Sequence, residues 1–202
     1  MSVIECEKLQ VGQKVQDFQA QALLADGSFK DVKLADYKGK WAVVFFYPLD
    51  FTFVCPSEIL AFNKKVEEFK KKNCELIGVS VDSKFTHLAW KNTPIDNGGI
   101  GKIQYPLVQD LNKDIAKSYG ILLNGSVALR GLFLIDTKGF VRHSIINDLP
   151  LWRNVEEALR MVDALQFHET HGDVCPANWK HGDEAMKPTA AGVATYLAKH
   201  AK

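Results

Sequence analysis

Residues 41–47 read Trp41-Ala42-Val43-Val44-Phe45-Phe46-Tyr47, and Pro48 follows. This run of apolar, β-branched and aromatic residues has no polar face. It predicts a central strand covered on both sides. Pro48 has no N–H to give to a ladder and ends it. Next, Pro56 opens a helical pattern in which Ile59, Phe62, Val66 and Phe69 recur at steps of three and four, giving one buried face. Pro56 is expected at the first helical position, and Glu58 suits the positive end of the helix dipole. Residues 74–81 predict the next strand. A strand–helix–strand unit implies parallel pairing through a right-handed crossover.

Residues 15–34 predict a hairpin turning at Asp26-Gly27. A short helix is expected over 85–92, then a loop holding Gly98-Gly99-Ile100-Gly101, then a helical turn over 115–119. Residues 129–135 and 140–146 predict a second hairpin turning at Lys138-Gly139. Val155, Leu159, Val162 and Leu165 mark another amphipathic helix. The pattern is α/β: a mixed central sheet flanked by helices, with an N-terminal hairpin. Composition changes after Phe167. Residues 168–188 are rich in His, Gly, Asp and Pro and read as an extended arm, with a short helix over 190–199. The expected division is 1–167 for the main domain and 168–202 for the arm.

A chain of 202 residues buries roughly 70% of its unfolded surface, enough for a core without staples. Apolar residues at 47% and charged residues at 24% are ordinary globular values. With 25 basic and 24 acidic residues the net charge is +1, which argues against a nucleic-acid partner. The one dense basic run, Lys70-Lys71-Lys72, closes a helix, where cations suit the dipole. The longest apolar stretch falls far short of the ~20 residues of a membrane span. The first residues lack the basic-then-apolar order of a secretory signal. A cytoplasmic location is expected, with no membrane association. Four cysteines are too few for a disulfide scaffold, so each is inert, catalytic or redox-sensing.

Cys55 stands out by position. It follows Asp50-Phe51-Thr52-Phe53-Val54 and directly precedes the proline-started helix. Unpaired N–H groups and the positive dipole end favour a thiolate there. Thr52 is near enough to offer a hydroxyl to the same pocket. The alternative is a buried, unreactive cysteine. Cys74 opens a buried strand and reads as packing; Cys6, in the N-terminal segment, reads as an unreactive thiol with modification as the lesser alternative, since exposure alone does not make a thiol reactive. His168, His171, Asp173 and Cys175 are close in sequence, but their spacing matches no common zinc site, so no metal is expected. Trp41, Trp90 and Phe45 read as core aromatics.

The segment Tyr47-Pro48-Leu49-Asp50-Phe51-Thr52-Phe53-Val54-Cys55-Pro56-Ser57-Glu58 closely resembles the active-site segment of peroxiredoxins. The match is to the typical two-cysteine group, which includes the peroxidase component of bacterial alkyl hydroperoxide reductase. Three further segments resemble the family in order: Asp82-Ser83-Lys84-Phe85-Thr86-His87-Leu88-Ala89-Trp90, Leu129-Arg130-Gly131-Leu132-Phe133, and Val174-Cys175-Pro176-Ala177. A Cys-Pro pair alone is weak evidence; four ordered segments are specific.

The resemblance implies a thioredoxin-like fold and a peroxidase without a cofactor. Cys55 matches the peroxidatic cysteine, whose thiolate attacks a peroxide and becomes a sulfenic acid. Arg130 matches the arginine that faces thiolate and peroxide, Thr52 the hydroxyl that hydrogen-bonds both, and Pro48 the residue that shields the pocket. Glu58 and Arg153 match an outer pair that orients Arg130. Cys175 matches the resolving cysteine, supplied by the other subunit of a homodimer. Thioredoxin or a flavoprotein disulfide reductase would reduce the resulting disulfide. The family also implies decameric rings of five dimers, with Thr86 near the contact between dimers. Because Cys55 lies beneath its own helix, the first turn is expected to unwind before the disulfide forms.

Gly98-Gly99-Ile100-Gly101 and Tyr196-Leu197 resemble paired motifs that slow unwinding and promote overoxidation. Here Ile100 replaces the usual leucine and Leu197 the usual phenylalanine, which implies intermediate sensitivity. Trp152 stands where the family usually has glycine, and its ring is expected to bear on Arg153 or on a subunit contact. Two rival readings use the same residues: a holdase chaperone and a relay that passes oxidation to partner proteins. A general thiol-disulfide oxidoreductase is disfavoured by the absence of a Cys-x-x-Cys pair.

Overall fold

The computed structural model describes residues 8–200, so Cys6 lies outside the described residues. The chain forms two compact units, Met1–Val155 and Glu156–Lys202. In the first, β1 (Gln19–Leu23) and β2 (Phe29–Lys33) form the expected hairpin, and β3 (Trp41–Phe46) is buried along its whole length. Helix α1 (Cys55–Lys71) links β3 to β4 (Cys74–Ser80), which pair in parallel. Then come α2 (Lys84–Asn92), β5 (Leu107–Gln109), α3 (Asp114–Ser118) and the two-residue strands β6 (Leu122–Leu123) and β7 (Val127–Ala128). The antiparallel pair β8 (Arg130–Ile135) and β9 (Val141–Asn147) completes a seven-stranded mixed sheet of order β2-β1-β5-β4-β3-β8-β9.

Side chains alternate across β3, and both of its faces are covered. Phe45 stacks on Phe62 of α1 with centroids 4.3 Å apart. Phe46 points the other way, to Tyr119 at 4.9 Å and Phe133 at 6.1 Å. Tyr105 donates a hydrogen bond to the Ile59 carbonyl at 2.7 Å and ties α1 down. Strand β5 has only three residues, too few to show a period, and did not emerge from the sequence.

Two expectations need correction. Pro56 is not the first residue of α1; Cys55 is, and Val54 precedes it. Proline is tolerated at the second position because the first four N–H groups of a helix have no intrahelical partner. Secondly, the segment from His168 is not extended at its start. In the second unit α4 (Val155–His171) runs four residues further, and Gly172 ends it with φ 70°. Val174 and Met186 then exchange two backbone hydrogen bonds of 2.9 Å, and α5 (Ala190–His200) follows. Among the described residues no helix is long and apolar enough to cross a membrane.

Candidate active site

Four segments of the first unit meet at Cys55. The sulfur sits in the first turn of α1 with no exposed surface. Glu58, three residues on, lies on the same helix face and is 4% exposed. Arg130 opens β8, and Arg153 lies in the loop after β9; both are buried. Arg130 Nη1 donates to Cys55 Sγ at 3.5 Å and to Glu58 Oε2 at 3.4 Å. Its Nε donates to the Leu149 carbonyl at 2.6 Å, which fixes the guanidinium plane.

Arg153 holds Glu58 more closely. Its Nε donates to Oε1 at 2.7 Å and its Nη2 to Oε2 at 2.5 Å, and its backbone N–H adds a third bond at 3.0 Å. Its Nη1 donates to the Gly131 carbonyl, and its guanidinium lies 5.6 Å from the Phe45 ring. Burial alone would raise the Glu58 carboxyl. The Arg153 hydrogen bonds and charge, with the Arg130 charge, outweigh it and hold the carboxyl below its ordinary value. A buried carboxylate shared by two guanidinium groups is thus ionised and leaves Arg130 with charge to present to Cys55.

The loop before α1 is fixed by groups the sequence did not reveal. Tyr47 OH donates to Asp50 Oδ1 at 2.9 Å, and His87 Nδ1 lies 2.7 Å from Asp50 Oδ2. The Asp50 N–H donates to Asp82 at 2.8 Å. Burial raises the Asp50 carboxyl, and the His87 hydrogen bond opposes it. These residues lie within the first two of the four segments, but only the fold brings Asp50 and His87 together. Pro48 is buried beside this network. Thr52 Oγ1 donates to the Leu49 carbonyl at 3.0 Å, so its proton is committed and its lone pairs stay free to accept. Phe51 holds φ at 53°, a left-handed conformation uncommon for a bulky residue.

The remaining candidates lie elsewhere. Ile100 is fully buried, and the Gly98 carbonyl accepts from Trp90 Nε1 at 2.9 Å. Gly99 is buried and donates to the Pro94 carbonyl at 3.0 Å, and Gly101 is half-buried. In the second unit Tyr196 stacks on His200 and Leu197 is exposed. Trp152 is 55% exposed, while Arg153 is fully engaged with Glu58, so the ring does not displace the arginine. Cys74 is buried, and burial with the Glu75 charge pushes its thiol far up, as suits packing. Cys175 is half-buried, and its thiol donates to the Ala164 carbonyl at 3.7 Å. His168 and His171 turn Nδ1 to the backbone carbonyls of Asp173 and Phe167, at 2.8 and 3.0 Å. Among the described residues no three His, Cys, Asp or Glu side chains form a metal-binding group.

Comparison with known proteins matches these features. The AhpC/TSA family matches residues 11–144, and the C-terminal domain of 1-Cys peroxiredoxin matches residues 164–199, a span that here contains Cys175. Peroxiredoxin-1 of Gekko japonicus is 55% identical over 191 residues, covering 94% of this chain and 96% of that protein. Peroxiredoxin-2 of Mus musculus is 53% identical over 192 residues, covering 95% and 96%. The crystal structure of reduced Plasmodium vivax 2-Cys peroxiredoxin aligns with a TM-score of 0.91 at 51% identity, covering 93% of this chain and 98% of that one.

Proposed function

The chain belongs to the AhpC/TSA family of peroxiredoxins, and from that membership we infer a thiol-dependent peroxidase that reduces hydrogen peroxide and small organic hydroperoxides. The observation that carries the reading is the contact of Arg130 with the Cys55 sulfur, backed by a buried Glu58–Arg153 pair.

Cys55 sulfur attacks the terminal peroxide oxygen. The S–O bond forms as the O–O bond breaks, and the leaving oxygen takes a proton and departs as water or an alcohol. Cys55 is left as a sulfenic acid. Negative charge spreads over sulfur and both oxygens in the transition state, and a fixed cation aimed there lowers the barrier. Arg130 is that cation. Thr52 Oγ1, its own proton engaged by Leu49, accepts a hydrogen bond from the peroxide O–H and orients the substrate. Pro48 shields the pocket from water, and Glu58 and Arg153 position Arg130. The chemistry uses no cofactor.

Residues 1–167 carry this site and residues 168–202 carry the resolving thiol. The partner subunit's Cys175 attacks the Cys55 sulfenic sulfur; the disulfide forms and water leaves. Cys55 is buried in a folded turn, so the start of α1 unwinds first. Thioredoxin or a dedicated flavoprotein disulfide reductase then restores both thiols. The working unit is a homodimer, assembled as rings of five dimers, in a reducing compartment such as the cytoplasm. Gly98-Gly99-Ile100-Gly101 with Tyr196-Leu197 sets an intermediate tendency to overoxidise.

The test adds one equivalent of hydrogen peroxide to the reduced protein and reads peroxide loss, intact mass and disulfide map. Rapid loss with a covalent dimer joined through Cys55 and Cys175 is expected. Unreacted monomer mass would overturn the peroxidase reading.

A further inference from the structure

Within the second unit, Cys175 sits over one stripe of α4. Its thiol donates to the carbonyl of Ala164, and the cleft beside it is also lined by Arg160 and His168, one turn before and one turn after Ala164. Arg160 is held from two sides. Its Nε and Nη2 donate to Glu157 at 2.6 and 2.7 Å, and its Nη1 donates to the Trp179 carbonyl at 3.1 Å. Trp179 is 2% exposed and packs on Phe167 with centroids 5.1 Å apart. The arm is therefore fastened to α4 through the same guanidinium that faces the Cys175 cleft.

The other charged groups near the cleft are already engaged. Asp173 pairs with Lys187 at 2.6 Å, and His168 turns Nδ1 to the Asp173 backbone carbonyl. Burial and the bond to the Ala164 carbonyl favour the protonated thiol. Only a thiol can donate that bond, and a carbonyl oxygen repels a thiolate. The Arg160 charge works against both. Burial is the larger influence and pushes the Cys175 thiol up, with Arg160 opposing it. Glu157 is bound to the same guanidinium and partly neutralises it.

We propose that Arg160 is a positioning residue for the resolving step: its charge makes the Cys175 sulfur a better nucleophile, and Glu157 sets how much of that charge the sulfur feels. The proposal rests on the assignment of Cys175 as the resolving cysteine. The Cys175 sulfur attacks the sulfenic sulfur, the S–S bond forms, the S–O bond breaks, and the hydroxide leaves with the Cys175 proton as water. Arg160 acts before bond formation, by easing loss of that proton.

The experiment measures iodoacetamide alkylation of Cys175, peptide by peptide, against pH in a Cys55→Ser background. Arg160→Gln is expected to move the profile to higher pH, and Arg160→Lys to restore most of it. Glu157→Gln, which leaves the Trp179 tie in place, is expected to move it to lower pH. In the two-cysteine chain, disulfide formation after peroxide should slow about two- to fivefold in Arg160→Gln and quicken in Glu157→Gln, the size expected of one partly solvated charge lining the same cleft. Opposite signs for the Arg160 and Glu157 variants cannot come from a loosened arm. Unmoved profiles, or shifts of the same sign, would overturn the proposal. If Arg160→Gln unfolds the arm, the Glu157→Gln profile alone decides. Shifted profiles without any Cys55–Cys175 disulfide would overturn the resolving assignment; a normal disulfide with unmoved profiles would overturn the Arg160 coupling alone.

Discussion

Glu58 accepts three hydrogen bonds from Arg153 and shares Arg130 at 3.4 Å, all in a buried setting. Its carboxyl titrates below its ordinary value of 4.5, so its contribution to stability is present above that pH and is lost as pH falls through the lower folded value. Glu58→Gln strands two buried guanidinium groups and is expected to cost about 3–5 kcal/mol in urea unfolding at pH 7. The gap between variant and wild type should narrow as pH drops below 4.5, because the unfolded wild-type chain then takes up a proton at Glu58 that the folded chain accepts only at its lower folded value. Arg130→Met should slow the reaction with hydrogen peroxide by about 10²–10³-fold in stopped-flow measurements, the usual loss of one preorganised donor. At this scale Cys55 was legible from its place before a proline-started helix. The role of Arg130 came only from family resemblance, since one arginine at a strand start resembles any surface arginine. Its anchor, the Leu149 carbonyl, was invisible, because a backbone acceptor leaves no mark on residue type.

In the proposed cycle helix α1 carries both the nucleophile and the part that must move. Val54 makes no side-chain cap, and the chain enters through Phe51 at φ 53°. An uncapped first turn on a left-handed entry is a low-stability unit. Sub-denaturing urea should therefore act in opposite directions on the two steps: slower attack on peroxide, because the pocket is disassembled more often, and faster disulfide formation, because the turn is open more often. Two-phase tryptophan fluorescence after a peroxide pulse would show both, and a shared slowing would remove the unwinding step. The strands beneath are packed to contact. A Cβ on Gly78 would lie 2.7 Å from Leu107 Cδ2 and 3.2 Å from Phe45 Cζ, so Gly78→Val should cost about 1–3 kcal/mol by overpacking β4 against β5 and the Phe45–Phe62 stack. Helices and long strands were legible from periodicity. The three-residue strand β5, the one-residue shift at the start of α1 and the continuation of α4 to His171 were not, because end positions depend on caps and neighbours rather than on period.

At the scale of the whole molecule the proposed cycle uses two chains. Reduced Cys55→Ser and Cys175→Ser chains, mixed and allowed to exchange subunits, should form one disulfide-linked dimer per peroxide, with neither variant linking alone. Linkage through Cys175 within a single wild-type chain would refute the two-subunit cycle. The amino-acid sequence alone settled the α/β class, the buried central strand, the presence of a helix beside Cys55 and, through four ordered segments, the family. These follow from local periodicity, proline placement and residue type, which act within a few residues. Only the tertiary structure decided that Glu58 lies between Arg130 and Arg153, that His87 supports Asp50, that Trp152 leaves Arg153 in place, and that Arg160 shares a cleft with Cys175. Each of these outcomes rests on a contact between residues distant along the chain, Arg153 being held by Glu58. Charge and hydrogen bonding act over a few ångströms, and it is the packing of the fold that sets those distances.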